Sequence, residues 1–324
     1  MNLKAVDLLL SFKCPAKCRH CSYQAGPNRQ KVMKPWQANA YLEELTQTYS
    51  LEGLTIHGGE PFLFFKEVMQ ILQKAKGLAI PKRGIITNGF WADSTENAQR
   101  RLLQLKEAGL KDITISADAF HKEFIAIERV QRAVLTSIKV GIEHIWVDSY
   151  FLGGVTEENK YNRQTKELLS QLEDLANHSA VEFNRYPVSF KGRAADLAKL
   201  LDSSSEIPAG PCPLPFWISG DLRNPGTIEI DPYGNVTLCP GICIGNTNKE
   251  SLLTILNNYD CSKHPILAFI VETGPKGLLE LAKEKGYKQT HSFMDECHLC
   301  YSLRKFLRPF YPGQLAPVNC YEDL

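Results

Sequence analysis

The 324-residue chain lacks any run of about 18 apolar residues, so no transmembrane helix is expected. It has almost no net charge. Its 37 Lys and Arg against 36 Asp and Glu leave +1, which argues against a broad nucleic-acid footprint and allows only a local patch. A secretion signal is not expected either, because Asp7 interrupts what would be its apolar core. The ten cysteines do not suit a disulfide scaffold, which would need a much shorter chain. Clustered in metal-like spacings, they suggest a reducing, oxygen-poor cytoplasm. Hydrophobic content of 44% and charged content of 23% are ordinary for a globular protein. The length allows one large α/β domain and a smaller appendage.

The densest group of thiols is Cys14-Pro-Ala-Lys-Cys18-Arg-His-Cys21. Three cysteines within eight residues leave one over if two pair as a disulfide. Tetrahedral zinc wants a fourth ligand, and His20 points the wrong way if Cys18 and Cys21 both bind. Three thiolates on three corners of an iron–sulfur cube fit better and leave the fourth iron open to another molecule.

Strands alternate with helices through residue 188. Apolar runs or short alternating stretches at 6–12, 54–57, 83–87, 112–118, 144–152 and 181–188 read as strands, with helical stripes between them. This pattern predicts parallel βαβ units. Six such units do not fill an eight-fold barrel, so an open (β/α)6 barrel over residues 1–204 is the natural architecture. Strand side chains alternate between faces. Thr114, Ser116 and Asp118 therefore share a face, as do His144, Trp146, Asp148 and Tyr150, and then Glu182, Asn184 and Tyr186. Polar inward faces imply a wet cavity at the C-terminal strand ends, with Asp148, Tyr150, Glu182 and Asn184 as candidate substrate contacts.

The cysteine motif near the start of the chain, with His20 before its last cysteine, resembles the signature of radical S-adenosylmethionine (SAM) enzymes. The resemblance implies the same six-stranded partial barrel, a [4Fe-4S] cluster on Cys14, Cys18 and Cys21, and bound SAM. Gly58-Gly59-Glu60 ends the second strand where that family holds the amino group of the SAM methionine. Asn88, in Thr87-Asn88-Gly89, resembles a further cofactor-side feature. Ser116 and Asp118 fall where family members contact the ribose and carboxylate, and Asp118 is equally a candidate substrate contact. Arg193, in Gly192-Arg193-Ala194 at the start of a helix, is placed to pair with a carboxylate. With the motif beginning at residue 14, no N-terminal domain for gripping a leader peptide is expected.

The character changes after about residue 205. Residues 203–205 and 208–211 read as a linker. A β-hairpin follows over 227–239, then short helices, then Cys297-His-Leu-Cys300 ahead of a basic amphipathic helix. This resembles the twitch domain, a truncated relative of the SPASM auxiliary-cluster domain, and implies a second [4Fe-4S] cluster over 205–324 on Cys212, Cys239, Cys297 and Cys300. Cys243 and Cys320 are substitutes for the first ligand, and structural zinc is the alternative occupant. Cys243, in a glycine-rich turn, is also a candidate hydrogen-atom donor, ahead of Cys261 and Cys320. The expected activity is that of a radical SAM oxidoreductase. It would cleave SAM to a 5′-deoxyadenosyl radical and abstract hydrogen from a ribosomally made peptide, for example in epimerisation, using a donor such as flavodoxin or ferredoxin. The alternatives are an enzyme acting on a small metabolite, or a non-catalytic iron–sulfur or zinc protein that binds a partner through Arg304 to Arg308.

Overall fold

The computed structural model describes residues 1–202, 206–214 and 219–322; the residue 203–205 part of the expected linker lies outside them. The chain divides into two compact units. One holds Ala5–Cys18 and Ala25–Val188, and the other Met1–Lys4, Arg19–Gln24 and Ser189–Leu324.

In the first unit six strands lie in sequential order and pair in parallel: β1 (Ala5–Ser11), β2 (Gly53–Gly58), β3 (Lys82–Thr87), β4 (Asp112–Ser116), β5 (His144–Phe151) and β6 (Val181–Pro187). Between them run α1 (Pro35–Thr48), α2 (Phe65–Gly77), α3 (Thr95–Ala108), α4 (Ala119–Lys122), α5 (Ile127–Val140) and α6 (Lys160–Ser170). This is the α/β, partial-barrel arrangement that the alternating pattern implies. Val6, Leu8, Leu9 and Leu10 of β1 are all buried, as expected of a parallel strand covered on both faces. Local signals set the helix ends. Ser94 caps α3 by accepting from Asn97 N at 3.1 Å, and Gly109 closes it in the left-handed conformation at φ +117°. The alternation in β5 is as read: Ile145, Val147, Ser149 and Phe151 are buried, and Trp146, Asp148 and Tyr150 are half-buried.

The second unit carries an antiparallel run, β7 (Thr227–Ile230), β8 (Asn235–Cys239) and β9 (Ile242–Asn246). Four helices follow: α7 (Leu252–Asn257), α8 (Leu267–Thr273), α9 (Leu278–Glu284) and α10 (Glu296–Leu307). Three sequence expectations are corrected here. Cys243 lies on β9, where antiparallel pairing with β8 makes a strand of what reads as a turn. Cys297 and Cys300 lie inside α10, because Asp295 caps that helix through His298 N at 2.7 Å and starts it before the motif. Arg304 is fully buried, so the basic face expected from Arg304 to Arg308 is not a solvent surface. Its Nη1 donates to Pro240 O at 2.9 Å and to Tyr321 Oη at 2.8 Å, and Arg308 pairs with Glu322 at 3.6 Å.

Among the described residues no helix is long and apolar enough to cross a membrane. The turn after β5 depends on one side chain. Asn162, fully buried on α6, accepts from Leu152 N at 2.8 Å, and its Nδ2 sits within 3.0 Å of the carbonyls of Leu152, Gly154 and Glu157. Asn162→Ala is expected to lower stability by about 2–3 kcal/mol, because it strands several buried backbone groups. A lower urea midpoint at an unchanged m value is the signature to look for.

Candidate iron–sulfur and cofactor sites

Cys14 and Cys18 belong to the parallel-sheet unit, and both are buried. Cys14 Sγ lies 3.5 Å from the Nδ2 donor of Asn88, and its backbone N–H donates to Gly26 O at 3.1 Å. Cys21 and the half-buried His20 belong to the C-terminal unit. There the Cys21 carbonyl accepts from Gln24 N at 3.3 Å and from Arg193 N at 3.2 Å. None of the three cysteines is in a disulfide.

Gly58 and Gly59 fold the end of β2 onto the base of the cysteine loop. Gly59 N donates to Ser11 O at 2.6 Å, and Glu60 N to Lys13 O at 2.9 Å. Gly58 has φ +121°, and a Cβ there would meet Ser11 O at 2.5 Å; a Cβ on Gly59 would overlap the Lys13 carbonyl. The two glycines are therefore required by the chain's own close approach, which holds the loop against the strand end.

The Glu60 side chain also turns inward. Oε1 accepts from Phe62 N at 3.0 Å and Thr87 Oγ1 at 2.8 Å, and Oε2 accepts from Asn88 N at 2.9 Å. Both oxygens thus accept from the chain's own donors. Glu60 fixes Asn88, and Asn88 in turn faces Cys14 and accepts from Phe90 N at 3.0 Å through Oδ1. Trp91 closes this corner by donating from Nε1 to Thr87 Oγ1 at 2.9 Å and stacking on Phe62 with centroids 4.0 Å apart.

Asp118 is fully buried and caps α4, accepting from Phe120 N at 2.9 Å and His121 N at 3.0 Å. His121 Nδ1 lies 3.0 Å from each carboxylate oxygen. Sequence reading had no reason to pick out His121, which gains meaning only from the turn of α4. Ser116 is buried at the end of β4, in register with Asp148 of β5. Asp148 accepts from Asn184 Nδ2 at 3.0 Å, Tyr150 and Tyr186 lie with ring centroids 5.8 Å apart, and Glu182 is exposed. Burial pushes the Asp148 carboxyl up to about 6; the Asn184 bond opposes the rise, and the charges of Glu182 and Asp118 add to it.

In the C-terminal unit, Cys212, Cys239, Cys297 and Cys300 line one apolar cavity together with Lys191, Glu296 and Arg304. Cys243 and Cys320 do not line it. The four thiols form no disulfide, and among the described residues no three of them come within 4.8 Å of one another. Burial raises the thiol pKa values of Cys212, Cys297 and Cys300, and the Lys191 charge opposes the rise in each. Soft sulfur donors of this number, in an apolar pocket with a buried ammonium, fit an iron–sulfur cluster. Cys243 is buried on β9 with its Sγ 3.0 Å from Gly245 O, and burial pushes its thiol up to about 11.

The parallel sheet, the three-cysteine loop and the Gly-Gly-Glu corner form an arrangement that fits an iron–sulfur site on a partial barrel. Residues 8–162 match the Radical SAM superfamily. It is 26% identical over 142 residues to the candidate peptide biosynthesis protein YydG of Bacillus subtilis, covering 43% of each chain. It is 30% identical over 146 residues to the GTP 3′,8-cyclase of Aquifex aeolicus, covering 43% of this chain and 41% of the relative. The chain thus spans less than half the length of these two relatives. Among solved structures, Streptococcus suis SuiB bound to its precursor peptide SuiA superposes with a TM-score of 0.43 at 15% identity, over 79% of this chain and 65% of that one.

Burial, opposed by the bonds from Asn88, Phe62 and Thr87, raises the Glu60 carboxyl to about 7. Between its ordinary value and about 7 the folded chain keeps a proton that the unfolded chain has released. This group's contribution to stability therefore falls as pH rises through that window. Infrared difference spectra are expected to show a protonated-carboxyl band lost near pH 7 and missing from Glu60→Gln; a Glu60 band lost near its ordinary value would contradict the burial argument.

Proposed function

We propose that the chain is a radical SAM enzyme that cleaves SAM reductively and abstracts hydrogen from a peptide, with epimerisation as the outcome. A cluster bound by Cys14, Cys18 and Cys21 would supply one electron to SAM and so generate the 5′-deoxyadenosyl radical. The observation that carries the reading is the Glu60–Asn88–Cys14 chain of hydrogen bonds, which ties the Gly-Gly-Glu segment to the first cysteine of the signature. Gly58, Gly59, Glu60 and Asn88 set the backbone around the cofactor, with Ser116, Asp118, His20 and Arg193 as its further contacts. Asp148, Tyr150, Glu182 and Asn184 face the substrate.

Residues 205–324 form the auxiliary-cluster domain, with Cys212, Cys239, Cys297 and Cys300 as its ligands. Zinc is disfavoured by spacing, since bonds of about 2.3 Å would draw four tetrahedral sulfurs to roughly 3.8 Å of one another. The thiol of Cys243 stays protonated at neutral pH and so retains the hydrogen atom that a substrate radical would take back. The likeness to YydG supports a peptide substrate. The likeness to a GTP cyclase supports the second reading, a small metabolite.

Under strong reductant and without oxygen, the reconstituted protein is expected to form 5′-deoxyadenosine, and Cys18→Ala to form none. Absence of SAM cleavage by the intact protein would leave only a binding role. In deuterated solvent a peptide substrate should gain one mass unit at an α-carbon. Cys243→Ser should abolish that gain while leaving 5′-deoxyadenosine formation in place.

A further inference from the structure

Lys191 is buried at 3% exposure in the wall of the four-cysteine cavity, with its Nζ 3.7 Å from Cys239 Sγ. A lysine so completely removed from water needs negative charge beside it. The second cation of the wall is Arg304, also fully buried, whose Nη1 is held by Pro240 O and Tyr321 Oη and whose Nε has no hydrogen-bond partner among the described residues. The carboxylate in the same wall, Glu296, is anchored on Gly210 N at 3.0 Å. Asp295, bound to His298 N, and the buried Glu229 also interact with the Lys191 charge.

Lys191 is placed by the residues that follow it. Gly192 has φ +60°, and a Cβ there would meet Ser22 O at 2.5 Å and Cys21 O at 2.6 Å, while Arg193 N donates to Cys21 O. The three-residue segment 191–193 is thus pinned at one end to the carbonyl of Cys21 and reaches Cys239 at the other.

We propose that Lys191 is the counter-cation of the C-terminal cysteine site, seconded by Arg304, and that its charge sets the reduction potential of the iron–sulfur cluster held there. The inference rests on the reading of Cys212, Cys239, Cys297 and Cys300 as cluster ligands. A [4Fe-4S] cluster with four thiolates is doubly negative when oxidised and triply negative after gaining one electron. A fixed positive charge at this distance in an apolar cavity therefore favours the reduced form more than the oxidised one.

The experiment is an EPR-monitored redox titration of full-length protein carrying Cys14→Ala, Cys18→Ala and Cys21→Ala, so that the C-terminal cluster alone is observed. Iron and sulfide are counted in every sample. Adding Lys191→Met is expected to move the midpoint negative, lowering the reduction equilibrium constant about tenfold, which is 59 mV for a one-electron couple. Lys191→Arg should keep the parent midpoint. An unchanged midpoint in iron-loaded Lys191→Met would overturn the inference and leave the cluster assignment standing. A parent protein that holds no iron would overturn the assignment and the inference with it. If Lys191→Met fails to load iron, loading of Lys191→Arg at the parent midpoint upholds the need for charge. Equal failure of both would show that Lys191 serves packing alone.

Discussion

Negative charge held out of water has to be met by hydrogen-bond donors or cations, and both thiol sites of this chain are built around that requirement. At Cys14 the donor is Asn88, itself fixed by the buried carboxylate of Glu60. At the four-cysteine cavity the wall supplies Lys191 and Arg304. Asn88, Lys191 and Arg304 are all buried, so the fold itself sets donors and cations beside the thiols.

The scaffold follows from that need. Six parallel strands end at a common edge, where β2 delivers Gly58-Gly59-Glu60, β3 delivers Thr87-Asn88, β4 delivers Ser116 and Asp118, and β5 and β6 deliver Asp148 and Asn184. The glycines permit the backbone of residues 58–60 to lie directly on that of residues 11–13, an approach that no side chain there would tolerate. The same economy recurs at Gly192, where missing bulk lets Arg193 reach the Cys21 carbonyl and puts Lys191 among the cysteines.

Most of the parallel-sheet unit was legible in the sequence because buried parallel strands are continuous apolar runs and their faces alternate. Strand β9 was not: five residues after Pro240-Gly241, with Gly245 among them, look like a turn until β8 supplies their hydrogen bonds. The burial of Arg304 did leave a trace. It stands four residues after Cys300 and seven after Cys297, on the cysteine face of α10, and Asp295 marked where that helix begins. Lys191 left none, since nothing in Phe190-Lys191-Gly192 announces a partner 48 residues away. The inward turn of Glu60 was hidden for the same reason. Its acceptors are taken by Thr87 and Asn88, and only folding brings them together.

The proposed function places two iron–sulfur clusters on two sets of thiolates. Iron, sulfide and zinc per chain, measured after anaerobic reconstitution, test it most directly. About eight irons and eight sulfides in the intact protein, falling to about four of each when Cys212, Cys239, Cys297 and Cys300 are all replaced by alanine, is the predicted result. About four irons with one zinc in the intact protein, the zinc lost in that variant, would contradict it.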